Sequence, residues 1–592
     1  MNYTSKKRQR RIQPRFFVFL AAIIAVAVLI VVAVKLLGDG SSPHHIDIVQ
    51  NTATPDGTGS LNTTEPSAAP TPTPIPISDP TGAESTRPSI MGLRFDMNLD
   101  GNDIESYRSP FDTVFGDASE YASSVKGVTT FRGNNFRDDA AYGTAGVVAE
   151  KKLELVWTKD IPGSIAKGSA SGAWFGCGWT GQPLIAQWDK DTVNIMNIFP
   201  EKKSKEGLTE IIYATENSYI YFLDLDDGSF TRDHINGKWA FKGSGAIDPR
   251  GYPLLYVGAG DSGPNGAAPN LIFSLIDGSV LYSYGAGDSY ALRGFKAYDG
   301  ATLVHAESDS VTYASESGII YRFKLNTVYD KQAGAISINP SNILKWRYTT
   351  ERTRSGGSSS YWLGFESSPV MWRHYMYVAD NAGNLFCIDM HTMETIWMQD
   401  VLDDTNNTPI FEINEDKGEC YIYIGTSAHW TVDGNNIANM PFWKINALTG
   451  EIIWKDEGYR CTRDNVSGGV QTTSALGKNN VSDLIFVSYA MTVDTATRGT
   501  LVAYDKTTAE KKWVFNLDRY SYSSPIVLYD DSGDGYVVTF DSSGKMYLID
   551  ARNGILLDSL QLEGNFEASP AAFNNMIVIG TRASKIYGIR LK

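Results

Sequence analysis

From about residue 150 to the C-terminus, apolar residues fall in short runs such as Tyr421-Ile-Tyr-Ile424 and Ile577-Val-Ile579, each bounded by Gly, Asp, Asn or Ser. These runs are β-branched or aromatic and lack helical periodicity, so they predict strands joined by tight turns. The pattern recurs as a unit. Tyr377 to Asp389 leads to Trp397, Phe442 to Gly450 leads to Trp454, and Leu501 to Asp505 leads to Trp513. The segments that end each unit centre on Trp157, Phe230, Leu281, Trp346, Trp397, Trp454, Trp513 and Leu556, at a period of about fifty residues. Each unit opens with a small-residue phrase, clearest in Phe365-Glu-Ser-Ser-Pro369, Asn407-Thr-Pro409, Tyr522-Ser-Ser-Pro525 and Phe566-Glu-Ala-Ser-Pro570, which are the expected innermost strands.

Four short strands repeated eight times predict an all-β, eight-bladed β-propeller over residues 149–592, whose blades bury their faces against neighbours. Leu153 to Trp157 forms an outer strand without partners, while Ala568 to Arg590 supplies three strands without an outer one. Joined, they make one blade from both ends of the repeat region and remove the free sheet edges.

The region before the propeller divides by composition. Residues 1–15 form a basic tail carrying Lys6, Lys7, Arg8, Arg10, Arg11 and Arg15. Phe16 to Val34 is continuously apolar and, at about 1.5 Å per residue, long enough to cross a hydrocarbon core of roughly 30 Å. A transmembrane signal-anchor helix is expected over 16–37. The basic flank places the N-terminus in the cytoplasm and the propeller outside it, at the cell membrane. Lys35-Leu-Leu-Gly-Asp-Gly40 offers no clear small-x-small cleavage site, so an uncleaved anchor is preferred to a signal peptide. Residues 38–89, rich in Thr, Ser and Pro, read as a disordered stalk, and residues 90–148 as a lead-in that packs against the propeller.

Gly383-x-Leu-Phe-Cys-Ile-Asp389-x-x-Thr392 and Asn446-Ala-Leu-Thr-Gly-Glu-Ile-Ile-Trp454 resemble the repeat of the pyrroloquinoline-quinone-like (PQQ-like) eight-bladed propellers, in the quinoprotein alcohol dehydrogenase-like superfamily. Thr130-Phe-Arg-Gly-Asn-Asn-Phe-Arg137 is similar to the segment that precedes the first blade there. The resemblance spans about residues 125–592. It implies the fold, and it leaves function open between quinoprotein dehydrogenases and scaffolds that bind no cofactor, such as the lipoprotein of the bacterial outer-membrane assembly machinery. It also implies a pair of adjacent cysteines if a quinone is held. Cys177, Cys387, Cys420 and Cys461 contain no such pair and no Cys-x-x-Cys, which disfavours PQQ and argues against a zinc ribbon or attached haem. Most are expected as buried thiols, with room for one disulfide.

The net charge of -15 includes the basic tail, so the outer body is strongly acidic and nucleic acid is excluded as a partner. Gly258-Ala-Gly-Asp-Ser-Gly263 matches a dinucleotide fingerprint, but Pro264 and Pro269 follow where a helix should start. The histidines are scattered and show no His-x-x-x-His spacing. Asp530-Asp-Ser-Gly-Asp-Gly535 with Asp541 has the spacing of a calcium loop, whose ligands would be Asp530, Ser532, Asp534 and Asp541; a plain Gly-Asp turn is the preferred alternative. Trp179, Glu366, Asn407, Tyr522 and Glu567 fall at blade openings and are the candidates to ring one mouth of the axial funnel. The Trp series at repeat positions reads as packing between blades.

These readings lead to a membrane-anchored, extracytoplasmic module that binds or scaffolds cell-envelope proteins or peptides, with no catalytic residue assigned. The alternative is a PQQ- and calcium-dependent oxidoreductase acting on an alcohol or sugar, which a cluster of acidic and amide residues in the funnel would favour. A third reading, binding or sensing of cell-wall glycan, requires Trp362, Trp372 and Trp430 to form one patch.

Overall fold

The computed structural model describes residues 75–592, apart from 123, 169–170, 180, 296 and 356–361. The basic tail, the expected membrane span and the stalk to residue 74 lie outside the described residues, among which no helix is long and apolar enough to cross a membrane.

Among the described residues, beside two two-stranded hairpins, eight blade sheets follow one another along the chain, antiparallel apart from the parallel pairing of Ala141–Tyr142 with Ala571–Phe573. Their innermost strands begin at Leu184, Ala246, Leu303, Val370, Ile410, Ala475, Ile526 and Ala571, numbered here as blades 1 to 8. Blade 8 takes Ala571–Phe573, Met576–Thr581 and Lys585–Leu591 from the C-terminus and Leu153–Asp160 as its outer strand, with Gly588 opposite Trp157. This is the closure expected from the unmatched strands at the two ends. In blade 1 the outer position departs from expectation: Phe230 makes only a single bridge to Leu223, and the pairing strand is Ile235–Asn236. The turn between them is held by Lys202 and Lys205, both within 2.6 Å of the buried Asp224 carboxylate, which pulls the chain away from the sheet edge.

At four junctions a repeated tryptophan fastens one blade to the next. Trp157, Trp397, Trp454 and Trp513 donate from Nε1 to the carbonyls of Leu225, Ala447, Lys506 and Ala551, at 2.9, 3.0, 2.9 and 3.0 Å. Three of these indoles lie against the glycine that ends the same turn, where a Cβ on Gly228, Gly450 or Gly554 would meet the ring at 2.6, 2.7 and 2.6 Å. Those glycines have positive φ; in blade 6 the same place is taken by Ala509, at φ 62°. Inter-blade packing is therefore the role of the series.

A second lacing runs around the axis. Backbone N–H groups at the start of one innermost strand donate to a Ser or Thr hydroxyl of the next. Ala301 donates to Ser368, Ser368 to Thr408, Thr408 to Thr473, Thr473 to Ser524 and Ser524 to Ser569, all at 2.9 to 3.3 Å. The small-residue phrases exist because only Ser or Thr is short enough to bridge blades at this radius.

The lead-in does more than pack alongside. Arg94–Leu99 pairs with Ser341–Thr349 and Asn102–Ile104 pairs with it in turn, widening blade 3 to six strands. Residues 75–89, expected as part of the disordered stalk, are ordered: Thr81, Gly82 and Ala83 donate to the carbonyls of Leu448 and Thr449, and Thr86 is buried. Backbone pairing to blade 5 outweighs the composition there. Residues 129–140 then cross the axial channel and touch every blade. Thr129 accepts from Ile247, Asn135 from Met371, Phe136 from Phe411 and Ala140 from Ala572. Gln182 donates to Thr130 and Thr130 to Thr302. Arg132 donates to Ser474 and Pro525, completing the circuit. Arg137, fully buried, donates to the carbonyls of Pro369, Phe131 and Ala301. Both arginines have positive φ, at 55° and 59°, a conformation that this many hydrogen bonds overrides.

Candidate functional site

The plug contacts the innermost strands just after the hydroxyl ring, so the residues just before the ring face the opposite mouth. The position two residues upstream of each ring residue is held by Lys242, Asp299, Glu366, Asn406, Tyr522 and Glu567, among others. The regular inward pitch of the strands converges these side chains. Lys242 Nζ lies 2.6 Å from Asp299 Oδ2. Oxygens of Asp299, Glu316 and Glu366 all lie within 4.8 Å of one another. Glu366 Oε1 accepts from Trp179 Nε1 at 2.6 Å and Oε2 from Asn381 Nδ2 at 3.0 Å. Hydrogen-bond complementarity turns the Asn406 nitrogen toward Glu366 and Asp404, at 2.8 Å each.

Burial dominates the electrostatics. It pushes Glu366 up to about 7, helped by the Asp404 and Asp299 charges, and Glu316 well above the usual carboxylate range. For Lys242 burial acts against the ammonium, but Asp299, Glu316 and Glu366 more than offset it and raise its pKa. Burial likewise disfavours charged His429, yet Asp404, 2.7 Å from Nδ1, raises it. The loop bearing His429 is held by Asp403, whose carboxylate accepts the N–H groups of His429, Trp430 and Thr431. On the other side Arg582 pairs with the buried Glu216, pushed up to about 8 by burial, and lies 3.7 Å from Glu567.

Of the expected mouth residues, Trp179, Glu366 and Tyr522 come together, with the Trp179 and Tyr522 rings edge to face at 6.3 Å. Glu567 instead lies 3.7 Å from Arg582, which pairs with Glu216. Asn407 does not join the group: its amide donates to Gly425 and Val470 in the seam between blades, and its neighbour Asn406 takes the funnel position. The strand pitch decides which of two adjacent amides points inward. Lys242, Asp299, Glu316, Arg293 and His429 were missed. For Lys242 and Asp299 the available signal was the spacing to the small residue two positions on; for Glu316, Arg293 and His429, which sit in loops, sequence carried none.

The Asp530 loop is a correction. Asp530 Oδ1 accepts the Ser532 and Asp534 N–H groups at 2.9 and 3.0 Å, closing a hairpin turn. Asp541 lies beyond the strand Gly535–Phe540, roughly 20 Å away at about 3.3 Å per residue, where it binds Tyr547 and Arg519. The four residues do not form one calcium site. The aromatic patch also fails, because Trp372 is buried and stacked on Phe411 at 5.5 Å, while Trp362 lies against His429 at 4.7 Å. No disulfide forms: the four cysteines are free and buried.

An all-β ring of eight blades built on four-stranded units, closed by the strand Leu153–Asp160 and plugged at one mouth, defines the class. A family model described as outer membrane protein assembly factor BamB, PQQ_2, matches residues 441–581. Quinohemoprotein alcohol dehydrogenase ADHIIG from Pseudomonas putida HK5 superposes with a TM-score of 0.51 at 11% identity, covering 81% of this chain and 83% of that one. BamB from Moraxella catarrhalis gives a TM-score of 0.43 at 14% identity, over 64% of this chain and 93% of that one. No curated protein matches in sequence. The described residues form an eight-bladed β-propeller, of which residues 441–581 match that family model.

Were a quinone and calcium held in the funnel, the acid and amide cluster would be the donors, and its oxygens meet the chemical requirement for a hard cation. As arranged, the residues do not fit it. Lys242 already neutralises Asp299, Trp179 and Asn381 occupy both oxygens of Glu366, and no pair of adjacent cysteines is present to cover a ring.

Proposed function

We propose that this chain is a single-pass, membrane-anchored propeller facing away from the cytoplasm, and that it binds a protein or peptide of the cell envelope at the open mouth of its funnel. The apolar stretch Phe16 to Val34 and its basic flank support the anchor and its orientation. The observation that carries the binding reading is the charge pairing of the funnel floor, where Lys242 lies on Asp299 and Arg293 beside Glu316, while buried oxygens of Glu316, Asn381 and Asp404 stay without a hydrogen-bond partner among the described residues and are open to a donor from a bound segment. Around it Trp174, Trp179 and Trp430 are partly exposed, the kind of rigid aromatic anchors that partner segments use. The assembly-factor description of the matching family supports an envelope protein as the partner.

The test places a photo-crosslinking residue at Trp179 in cells, with Val280 on an outer strand as control. A discrete adduct at position 179 and none at 280 is expected; equal labelling, or none, overturns the reading. Protease added to spheroplasts is expected to degrade the propeller, and full protection removes the orientation.

The quinoprotein reading remains as the second, favoured by one observation, the approach of Asp299, Glu316 and Glu366 beside two amides. It requires Lys242 to leave Asp299. Thermal unfolding of the full-length protein with PQQ and calcium decides it: a ligand at a hundred times its Kd adds about 2.7 kcal/mol, and a raised midpoint selects the enzyme.

A further inference from the structure

Blade 4 gathers two histidines that the sequence keeps apart. His374 ends the turn between Val370–Trp372 and Tyr375–Ala379, and His391 lies in the turn after Asn384–Asp389. The register pairs Tyr375 with Asp389, and Met390 donates to the His374 carbonyl at 2.8 Å, so both turns close at the same end of the blade. The imidazoles stack with centroids 4.4 Å apart and planes 5° from parallel. A nitrogen of each and an oxygen of Asp389 all lie within 4.8 Å of one another. The lead-in adds a fourth donor: Asp112 Oδ1 is 2.9 Å from His391 Nε2, and Ser109 donates to the His391 carbonyl at 2.7 Å.

The repeat requires Asp389, which caps its turn as Asp505 and Asp550 cap theirs, but it does not require the histidines. The turns equivalent to Asp389-Met-His391 are Asn446-Ala-Leu448, Asp505-Lys-Thr507 and Asp550-Ala-Arg552, so His391 replaces a leucine, a threonine and an arginine. Imidazole nitrogens with carboxylate oxygens and no thiolate are the donors of a borderline divalent ion, zinc above all, at ligand distances of about 2.0–2.2 Å. Coordination requires the two imidazoles to turn out of their parallel stack so that both in-plane lone pairs meet one ion, and, if His391 binds through Nε2, that atom to give up the Thr113 N–H.

We propose that His374, Asp389 and His391, closed by Asp112, form a zinc-class metal site that fastens the lead-in segment to blade 4. It is separate from the funnel and stands whether or not the envelope-binding reading holds. An exchangeable fourth position is left for Asp112 or water, as suits a site at the edge of the molecule.

The test uses the full-length protein in detergent, stripped of metal and carrying His44→Ala and His45→Ala, so that the adjacent histidine pair outside the described residues cannot bind. Zinc alone is titrated against a chromophoric chelator, and the zinc-loaded protein is measured by X-ray absorption. One zinc per chain with two imidazoles, an otherwise oxygen shell and no sulfur is expected. His374→Ala and His391→Ala each weaken binding about tenfold or more, and Asp112→Asn weakens it less while keeping the two-imidazole signature. If an alanine variant does not fold by circular dichroism, His374→Gln and His391→Gln replace them. Zinc binding that survives both histidine substitutions, a shell with fewer than two imidazoles, or no binding to the parent protein overturns the proposal.

Discussion

Trp179 Nε1 donates to Glu366 Oε1 at 2.6 Å across 187 residues of sequence, joining the entry of blade 1 to that of blade 4 over the funnel floor. The contact fills one lone pair of a carboxyl that burial and Asp404 already hold near neutrality.

That carboxyl gives the protein a pH-dependent stability. Its folded pKa of about 7 lies above the ordinary value of 4.5, so the folded state keeps a proton that the unfolded chain releases. Stability is therefore expected to fall as pH rises from about 4.5 to 7. Melting midpoints taken across this range should slope downward, and Glu366→Gln should flatten part of the slope. An unchanged slope would assign it to other groups.

The tryptophan lock can be tested with substitutions of opposite sign. Gly450 has φ 75° and its Cβ would meet Trp397 at 2.7 Å, so Gly450→Ala should destabilise by roughly 2 kcal/mol or more. Ala509 holds the equivalent turn at φ 62° with a side chain, and Ala509→Gly should be neutral or stabilising by up to about 1 kcal/mol. Chemical denaturation of both variants reads the difference.

Trp397→Phe keeps one aromatic ring but removes the donor to the Ala447 carbonyl together with part of the buried indole. A buried acceptor left without its partner costs about 1–3 kcal/mol. A melting temperature equal to that of the parent would mean that neither the hydrogen bond nor the lost part of the indole contributes to stability.

The plug depends on the geometry of its arginines. Arg137 reaches three carbonyls and the Thr130 hydroxyl from a fully buried position. Arg137→Met is expected to destabilise by about 3 kcal/mol or more, and Arg137→Lys to recover little, because one ammonium cannot span the fork. Denaturant unfolding measures both.

Calcium added alone to metal-stripped protein should leave the melting midpoint unchanged, since Asp530 and Asp541 stand at opposite ends of one strand. Asp541→Asn should instead lower stability in either condition, by weakening the bonds from Tyr547 and Arg519.

The architecture was legible because it rests on local chemistry repeated along the chain. Strand runs, turn residues and the spacing of Trp397, Trp454 and Trp513 report what each unit must bury, and the unmatched strands at Leu153 and Ala568 required ring closure. Part of the funnel was legible for the same reason, since Glu366 and Tyr522 hold one register position in different blades. Where two polar neighbours competed, as at Asn406 and Asn407, sequence could not choose, because the choice depends on strand pitch.

Sequence by itself therefore determined the fold class, the number of blades and the way the ring closes, all of which follow from short-range periodicity. Tertiary structure alone decided that residues 129–140 plug the channel, that Lys242 meets Asp299, and that His374 meets His391. Those contacts join groups brought close only by ring geometry and strand register, and neither leaves a periodic mark on the chain.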